Sequence, residues 1–220
     1  MKSLAARFVS DADRQRVTRC VQEVENNTSG EIVPFVKSAS YHYPSAALRA
    51  ALAVSVLVAS AATAAEGFFM PWGTLGLFDL WVFPSVFAAC FLVVFALTTF
   101  APVLKRPFIS RAEMTDEVEE AALTAFYRHR LAETRDRTGI LLYVSVFERQ
   151  VVVMADRGIN EKVGQETWQQ VVDIVLRGIR EGRPADALCE AVTRCGELIA
   201  LQFPLRAGDK DELHNLIVED

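Results

Sequence analysis

Two long apolar runs, separated by a short loop, are the feature that most limits how this chain can fold. The first run, residues 50–65, carries no charged side chain and is extended backwards by residues 46–48 beyond Arg49. The second run, residues 80–104, is also uncharged. An α-helix rises about 1.5 Å per residue, so roughly 20 apolar residues cross the hydrocarbon core of a bilayer. We therefore predict a transmembrane helical hairpin, at about 46–65 and 80–104.

The alternative interpretation is a pair of helices buried in the core of a water-soluble protein. Burying two fully apolar helices requires a surrounding shell of further helices or strands. The rest of the chain, about 160 residues, is the size of one ordinary domain, so we prefer the membrane interpretation. Basic and aromatic side chains near the ends of the runs are then expected at the membrane interface, and Arg49 in the first run can reach the lipid phosphates. The expected interface residues are Arg49, Phe69, Trp72, Trp81, Lys105 and Arg106.

The distribution of basic residues predicts the orientation of the hairpin. The loop between the runs, residues 66–79, has no lysine or arginine. Lys37 and Arg49 instead precede the first helix, and Lys105, Arg106 and Arg111 follow the second. Cytoplasmic flanks of membrane helices are enriched in these residues. We expect a two-helix protein of the cell inner membrane with both termini in the cytoplasm.

Composition limits the classes of partner and the compartment. The formal net charge is −5, which argues against nucleic acid as a partner because binding it requires a dense basic face. The four cysteines, Cys20, Cys90, Cys189 and Cys195, form no CxxC motif. Buried, reduced thiols in a cytoplasmic domain are the simpler expectation.

The segments outside the hairpin alternate between helix and strand signals. Ser10 and Asp13 form a capping box that begins a helix, and residues 31–37 are typical of a strand. Pro34 cannot donate a ladder hydrogen bond, so we expect this strand at a sheet edge or with the Pro34 nitrogen facing out. The following signals predict a helix at 113–137, a β-hairpin with strands at 140–146 and 151–155, and two final helices around 168–179 and 188–199.

This order predicts a small layered α/β domain that the hairpin interrupts. Strand 31–37, helix 113–137 and strand 139–146 fit one βαβ crossover with the membrane excursion in its first loop. We divide the chain into a first part of the domain at 1–44, the hairpin at 45–104, a second part of the domain at 105–204, and an acidic flexible tail at 205–220.

The central hairpin and the first strand resemble a known family. Residues 138–153 (TGILLYVSVFERQVVV), followed by Asp156-Arg157-Gly158-Ile159, and Ser29-Gly30-Glu31-Ile32-Val33 in the first strand, are similar to the TPM domain, in the branch of bacterial membrane proteins whose domain is interrupted by two transmembrane helices. The resemblance implies a three-layer α/β/α domain that serves mostly as an accessory module in membrane systems. It also implies calcium binding and weak acid phosphatase activity in some members.

One departure from the family pattern bears on calcium. Many relatives have Asp-Asn-Gly before the central strand, where this chain has Arg137-Thr138-Gly139. Calcium needs six to eight oxygen ligands, commonly several from carboxylates. We therefore expect no cofactor. Calcium is the cofactor that the family resemblance would allow.

Signals for catalysis are sparse. His42, His129 and His214 have no ligand spacing, and no GxSxG, P-loop or GxGxxG motif occurs. The best polar cluster lies around the strand ends and contains Glu31, Glu148, Arg149, Asp156 and Arg157. We expect no catalytic residue; Glu31, Glu148 and Asp156 are weak candidates for metal ligands, and Glu148-Arg149 is expected to be a solvated hairpin tip.

Three functional hypotheses follow. The preferred one is a non-enzymatic accessory or interaction module for a membrane protein complex, whose partners are the bilayer and another membrane protein or a second copy. The first alternative is a weak phosphohydrolase that depends on a divalent metal. The second is a structural protein that self-associates through small residues at four-residue spacing on the first helix: Ala47, Ala51, Ser55 and Ala59.

Overall fold

A computed structural model describes residues 3–69, 79–134, 137–200, 202–204 and 213–220. The chain forms two compact units. One comprises Met1–Tyr41 with Met114–Asp220, and the other comprises His42–Glu113. The first is called the soluble unit below, and the second the helical unit.

Two helices precede the first strand in the soluble unit. Helix α1 spans Leu4–Phe8, and α2 spans Asp11–Glu25. The predicted capping box begins α2, since the Ser10 hydroxyl accepts from the Asp13 amide and the Asp13 carboxylate accepts from the Ser10 amide at 3.0 Å.

The helical unit contains the two apolar runs. Helix α3 spans Pro44–Phe69 and α4 spans Asp79–Phe100, and the two pack against each other. Both are long and apolar enough to cross a membrane. Large apolar side chains of α4 are exposed; Leu80 is 73% exposed and Leu92 is 67% exposed. A short 3₁₀ helix, Pro102–Phe108, follows.

Four further α-helices are described after the 3₁₀ helix. Helix α5 spans Arg111–Arg128, α6 spans Arg157–Asn160, α7 spans Gln165–Arg180 and α8 spans Pro184–Ala200. Helix α5 ends before the predicted residue 137, because Arg130 adopts a left-handed conformation and a 3₁₀ turn at Leu131–Glu133 follows. Gly182, at φ +75°, allows the tight turn between α7 and α8.

The described strands form one four-stranded sheet in the order β3-β2-β1-β4: β1 Glu31–Lys37, β2 Gly139–Ser145, β3 Gln150–Ala155 and β4 Ile217–Glu219. Strand β1 pairs in parallel with β2 and β4, and β2 pairs antiparallel with β3. Helix α5 covers one face of the sheet, and α1, α2, α7 and α8 cover the other. This is the expected three-layer α/β/α arrangement.

Strand β1 is internal, and the position of its proline explains why this is tolerated. Odd-numbered residues donate towards β2, as the Glu31 amide does to the Thr138 carbonyl at 3.2 Å. The Pro34 nitrogen therefore faces the other side, where β4 begins to pair only at Phe35. The expectation that the Pro34 nitrogen faces away from a paired strand is confirmed, and the expectation that β1 is an edge strand is wrong.

The C-terminal tail differs from expectation. Residues 213–220 are described, and within them β4 extends the sheet, so this part is not a loose tail. The Ser38 amide donates to the Glu219 carbonyl at 3.1 Å, and Leu216 and Val218 pack on the core of the sheet. Three residues are too few to produce a strand pattern in sequence, so the pairing depends on the edge that β1 offers.

The cysteines also differ from expectation. Cys20 on α2 and Cys189 on α8 form a disulfide with their Cα atoms 5.6 Å apart, whereas reduced thiols were predicted. The two are 169 residues apart in sequence, and only the packing of α2 on α8 brings them together. Cys195 is a free, fully buried thiol, and burial raises its pKa to about 12.

Candidate functional site

The polar residues singled out from the sequence lie at two opposite ends of the sheet. Glu31 begins β1 beside Gly139 at the start of β2, and the Asp156 amide donates to the Gly139 carbonyl at 2.8 Å. Glu148 follows the other end of β2. At about 3.3 Å per residue, β2 separates the two ends by about 20 Å. The predicted cluster is therefore two separate sites.

At the first end, Asp156 has a structural role. One carboxylate oxygen accepts from the Arg157 amide at 2.6 Å and caps α6, and the other lies 4.0 Å from the Arg137 guanidinium. Arg157 itself pairs with Glu161 at 2.7 Å, and this hydrogen bond raises the pKa of its guanidinium.

These residues do not fit the calcium that the resemblance implies. Arg137 puts a positive charge beside Asp156, and one Asp156 oxygen already accepts a backbone hydrogen bond. Within the described ranges, no group of three or more His, Cys, Asp or Glu side chains is placed to hold a metal ion. The carboxylates present supply fewer oxygens than calcium requires.

At the other end, Glu148 is buried, which contradicts the expected solvated tip. Its side chain is 2% exposed and accepts from the Ser40 amide at 3.0 Å and from the Ser145 hydroxyl. The chain turns back at Arg149, which adopts a left-handed conformation at φ 56°. The Glu148 carboxylate is buried because it accepts hydrogen bonds from Ser40, in the loop after β1, and from Ser145 at the end of β2.

Tyr143 joins the same network. Its hydroxyl lies 3.0 Å from the Ser40 hydroxyl, which in turn donates to Ser145 at 3.0 Å. The ring stacks on Phe35 at 5.3 Å. Burial is the main cause that raises the pKa of Tyr143 to about 12, with Glu148 and Glu219 adding to it. The hydroxyl therefore stays protonated at neutral pH, and the network fixes the loop after β1 to β2.

The three histidines do not meet. His129 packs on the Phe35 ring at 5.4 Å, with its Nε2 3.5 Å from a Glu219 carboxylate oxygen. His214 lies in the described end of the tail, and His42 belongs to the helical unit, where its carbonyl accepts from the Lys105 ammonium.

The described residues predicted at the membrane interface lie in the helical unit. Arg49 forms an ion pair with Glu113, in which 2.8 Å separates Nη2 from Oε2. Trp81 is 66% exposed near the start of α4, and Lys105 and Arg106 lie in the 3₁₀ helix after it. Trp72 and the side chain of Phe69 lie outside the described residues.

The small-residue stripe of α3 is covered within the chain itself. Ala51, Ser55 and Ala59 are fully buried, and Ala47 is 6% exposed. Helix α3 packs along α4 in the helical unit, so contacts within one molecule already cover these positions. This arrangement removes the surface on which self-association through the stripe depended.

A groove with a volume of about 850 Å³ runs along β3 in the soluble unit, and both polar and apolar residues line it. One wall is α5, which contributes Leu123, Phe126 and Tyr127, and the other contains Val163 and Trp168. The floor is the outer edge of β3. We call this surface the β3 groove.

Apart from Phe126, helix α5 forms this wall of the groove through residues outside its main apolar stripe. Val118, Ala122, Ala125 and Phe126 face the sheet as the periodicity predicts, whereas Leu123 and Tyr127 are 49% and 64% exposed. They lie four residues apart and therefore side by side. Two large apolar side chains at this spacing on the charged face are a sequence signal for the groove, and the periodicity of the main apolar stripe does not include them.

Comparison with known proteins agrees with this architecture. Residues 108–198 match the family model of the TPM domain. The NMR structure of the BA42 protein from the psychrophilic bacterium Bizionia argentinensis is similar in fold, with a TM-score of 0.55 and 17% sequence identity over 97% of this chain and 96% of that one. A search of curated protein sequences gives no match. Residues 108–198 are therefore similar to the TPM domain, in a chain that also has two helices long and apolar enough to span a membrane.

Proposed function

We propose that this protein is a membrane-anchored accessory module, in which the TPM-like domain binds another membrane protein without catalysing a reaction. The observation that carries the proposal is the β3 groove, where an open strand edge lies between a wall with Leu123 and Tyr127 and a wall with Trp168. Such an edge offers unpaired main-chain groups to another chain, and the exposed Leu123 and Tyr127 beside it can be covered by the same partner.

The exposed apolar side chains of the helical unit support membrane anchoring. Helices of 25 and 21 residues satisfy the length and composition needed to cross a bilayer. Side chains such as Leu80 and Trp81 would be in contact with water if α4 belonged to a soluble protein. In a bilayer the same side chains meet lipid.

The arrangement of the polar residues favours binding over catalysis. Glu31 and Asp156 lie at one end of the sheet and Glu148 at the other, so these three do not converge on one substrate. Glu148 and Tyr143 accept or donate hydrogen bonds within the protein, and their bonds fix a loop. This separation weighs against the phosphohydrolase.

The orientation belongs to the proposal as well. Basic residues flank the two apolar helices and are absent from the loop between them, which favours an inner-membrane protein with both termini in the cytoplasm. Fusions of green fluorescent protein and of alkaline phosphatase after Asp220 test this. A fluorescent first fusion and an inactive second fusion are expected, and the reverse pattern would contradict the orientation.

Crosslinking in native membranes tests the interaction. A photoreactive amino acid replaces Tyr127 in the β3 groove or, as the control, the exposed Gln22 on α2. We expect one membrane protein to be recovered in defined proportion from the Tyr127 position and not from the Gln22 position. Recovery of no partner from any exposed position of the soluble unit would contradict an accessory function.

A further inference from the structure

We propose that the β3 groove accepts an extended segment of the partner, which adds a strand to the edge of β3, and that this segment has apolar residues flanked by lysine or arginine. The inference rests on the proposed function and specifies the chemistry of the partner. Addition of a strand to an open sheet edge is an established mode of peptide recognition, in which the main chain gives affinity and pockets for alternate side chains give specificity.

The main chain of β3 is suited to this mode. The Asp156 amide donates to Gly139, so by alternation the even residues of β3 bond to β2. The odd residues Val151, Val153 and Ala155 direct their backbone groups outwards. Asn160 covers the Ala155 carbonyl at 2.6 Å, and no described strand pairs with the others.

This edge lacks the features that normally prevent strand pairing. Natural proteins protect edge strands with charged residues, proline or bulges. Residues 151–155 (VVVMA) are all apolar, and the strand pairs with β2 in continuous register from Gln150 to Ala155. An unprotected apolar edge is a liability unless a partner covers it.

The walls of the groove suit alternate side chains of an added strand. Val152 and Met154 point to the face that α5 covers, and Val153 points to the opposite face. An added strand would likewise alternate between Leu123 and Tyr127 on one side and Trp168 on the other. The indole nitrogen of Trp168 is buried and has no hydrogen-bond partner within the described residues.

The charge of the rim indicates what flanks the apolar residues. Glu119 lies on the α5 wall, and no described residue forms an ion pair with it. Asp116 is one turn before it on the same helix. Arg157 at the end of the groove is already engaged by Glu161. A segment with lysine or arginine beside its apolar residues complements this rim, and cytoplasmic segments next to membrane helices have this composition.

A synthetic peptide tests the inference on the full-length protein in nanodiscs. The probe is a fluorescein-labelled Lys-Val-Thr-Val-Thr-Val-Lys peptide, and the controls replace both lysines by glutamate or the central valine by proline. Fluorescence anisotropy measures binding. NMR-detected hydrogen exchange measures protection of each β3 amide, which depends on main-chain hydrogen bonding.

We expect the lysine peptide to bind and both controls to bind at least about fivefold more weakly, since one lost backbone bond or reversed ion pair changes affinity by roughly this factor. At about 90% saturation, exchange at the outward amides of Val151 and Val153 should slow about tenfold. Val152 and Met154, already bonded to β2, should not change.

A matched pair of variants tests the role of charge. Glu119→Lys reverses a carboxylate on the groove wall, whereas Glu120→Lys makes the same change on the adjacent residue, which lines a different surface of α5. Only the first should weaken binding of the lysine peptide, by about fivefold or more. Equal effects of both variants would overturn the predicted basic flank.

Other outcomes overturn the inference in distinguishable ways. If the peptide does not bind, or if it slows hydrogen exchange only at amides outside β3, the groove is not a strand acceptor. A partner that crosslinks elsewhere on the soluble unit would still support the accessory function. Protection of Val151 and Val153 that rises with protein concentration alone would show that a second copy covers the edge.

Discussion

Arg49 donates to both carboxylate oxygens of Glu113, at 3.0 and 2.8 Å, and so connects the first apolar helix to the start of α5. Because the sequence places this arginine in the first turns of an apolar run, lipid phosphate was its expected partner. The structure gives it a carboxylate in the same unit. The pair fixes the two ends of the helical unit to each other.

A double-mutant cycle on this pair tests its contribution. Arg49→Ala, Glu113→Ala and the double variant are compared by thermal unfolding in detergent. The side chains are 46% and 27% exposed, so we expect a coupling free energy of about 0.5–1 kcal/mol that decreases in high salt. Full additivity of the single variants would mean that Arg49 interacts mainly with lipid or detergent.

Gly139 is required by a close approach of the main chain. A Cβ atom at this position would overlap the carbonyl oxygen of Leu131, which backbone rearrangement alone would relieve. We expect Gly139→Ala to lower the free energy of unfolding by about 3 kcal/mol. Gly164→Ala is the control, since its Cβ would meet no atom within 4 Å, and about 1 kcal/mol or less is expected. Equal stability of both variants would contradict the close packing.

Burial of Tyr143 predicts an alkaline loss of stability. Its pKa is raised from 10.0 to about 12, so the folded state keeps the proton longer than the unfolded state does. Stability from this group is fully present below pH 10 and decreases between pH 10 and 12, by about 2 kcal/mol. Denaturant unfolding at pH 9 and pH 11.5 measures this change. Tyr143→Phe should reduce the difference between the two pH values, and an unchanged difference would assign it to other groups.

The disulfide gives a simple count of thiols. Protein purified without reductant and then denatured should have two reactive thiols, those of Cys90 and Cys195, rather than four. Reduction should lower the free energy of unfolding by about 2–4 kcal/mol. Protein trapped by acid and alkylation from growing cells should show all four thiols if the soluble unit is cytoplasmic, because that compartment is reducing. A disulfide that persists in trapped cells would contradict the proposed orientation.

Local sequence signals predicted the local structure well. The capping box at Ser10 and Asp13, the apolar face of α5 and the hairpin of β2 and β3 all depend on residues close together in the chain. The nearly continuous apolar run of β2 predicted a strand covered on both faces, and all seven of its residues are buried. The resemblance to the TPM domain then supplied the layer order.

Features that depend on distant residues escaped prediction. One of the two donors that satisfy the buried Glu148 carboxylate is the amide of Ser40, more than 100 residues earlier in the chain. Cys20 and Cys189 meet only after α2 and α8 pack. The β3 groove combines one side of α5 with a strand edge and the segment around Trp168. Periodicity identifies which face of a helix is apolar, but not which elements converge beside it.

Binding through the β3 groove is tested by recovery of the partner from native membranes with Glu119→Lys and Glu120→Lys forms of the full-length protein. Both variants should reach the membrane in equal amounts. We expect the membrane partner to copurify with the Glu120→Lys form and its recovery to fall by about fivefold or more with the Glu119→Lys form. Equal recovery of the partner with both forms would contradict binding through the β3 groove.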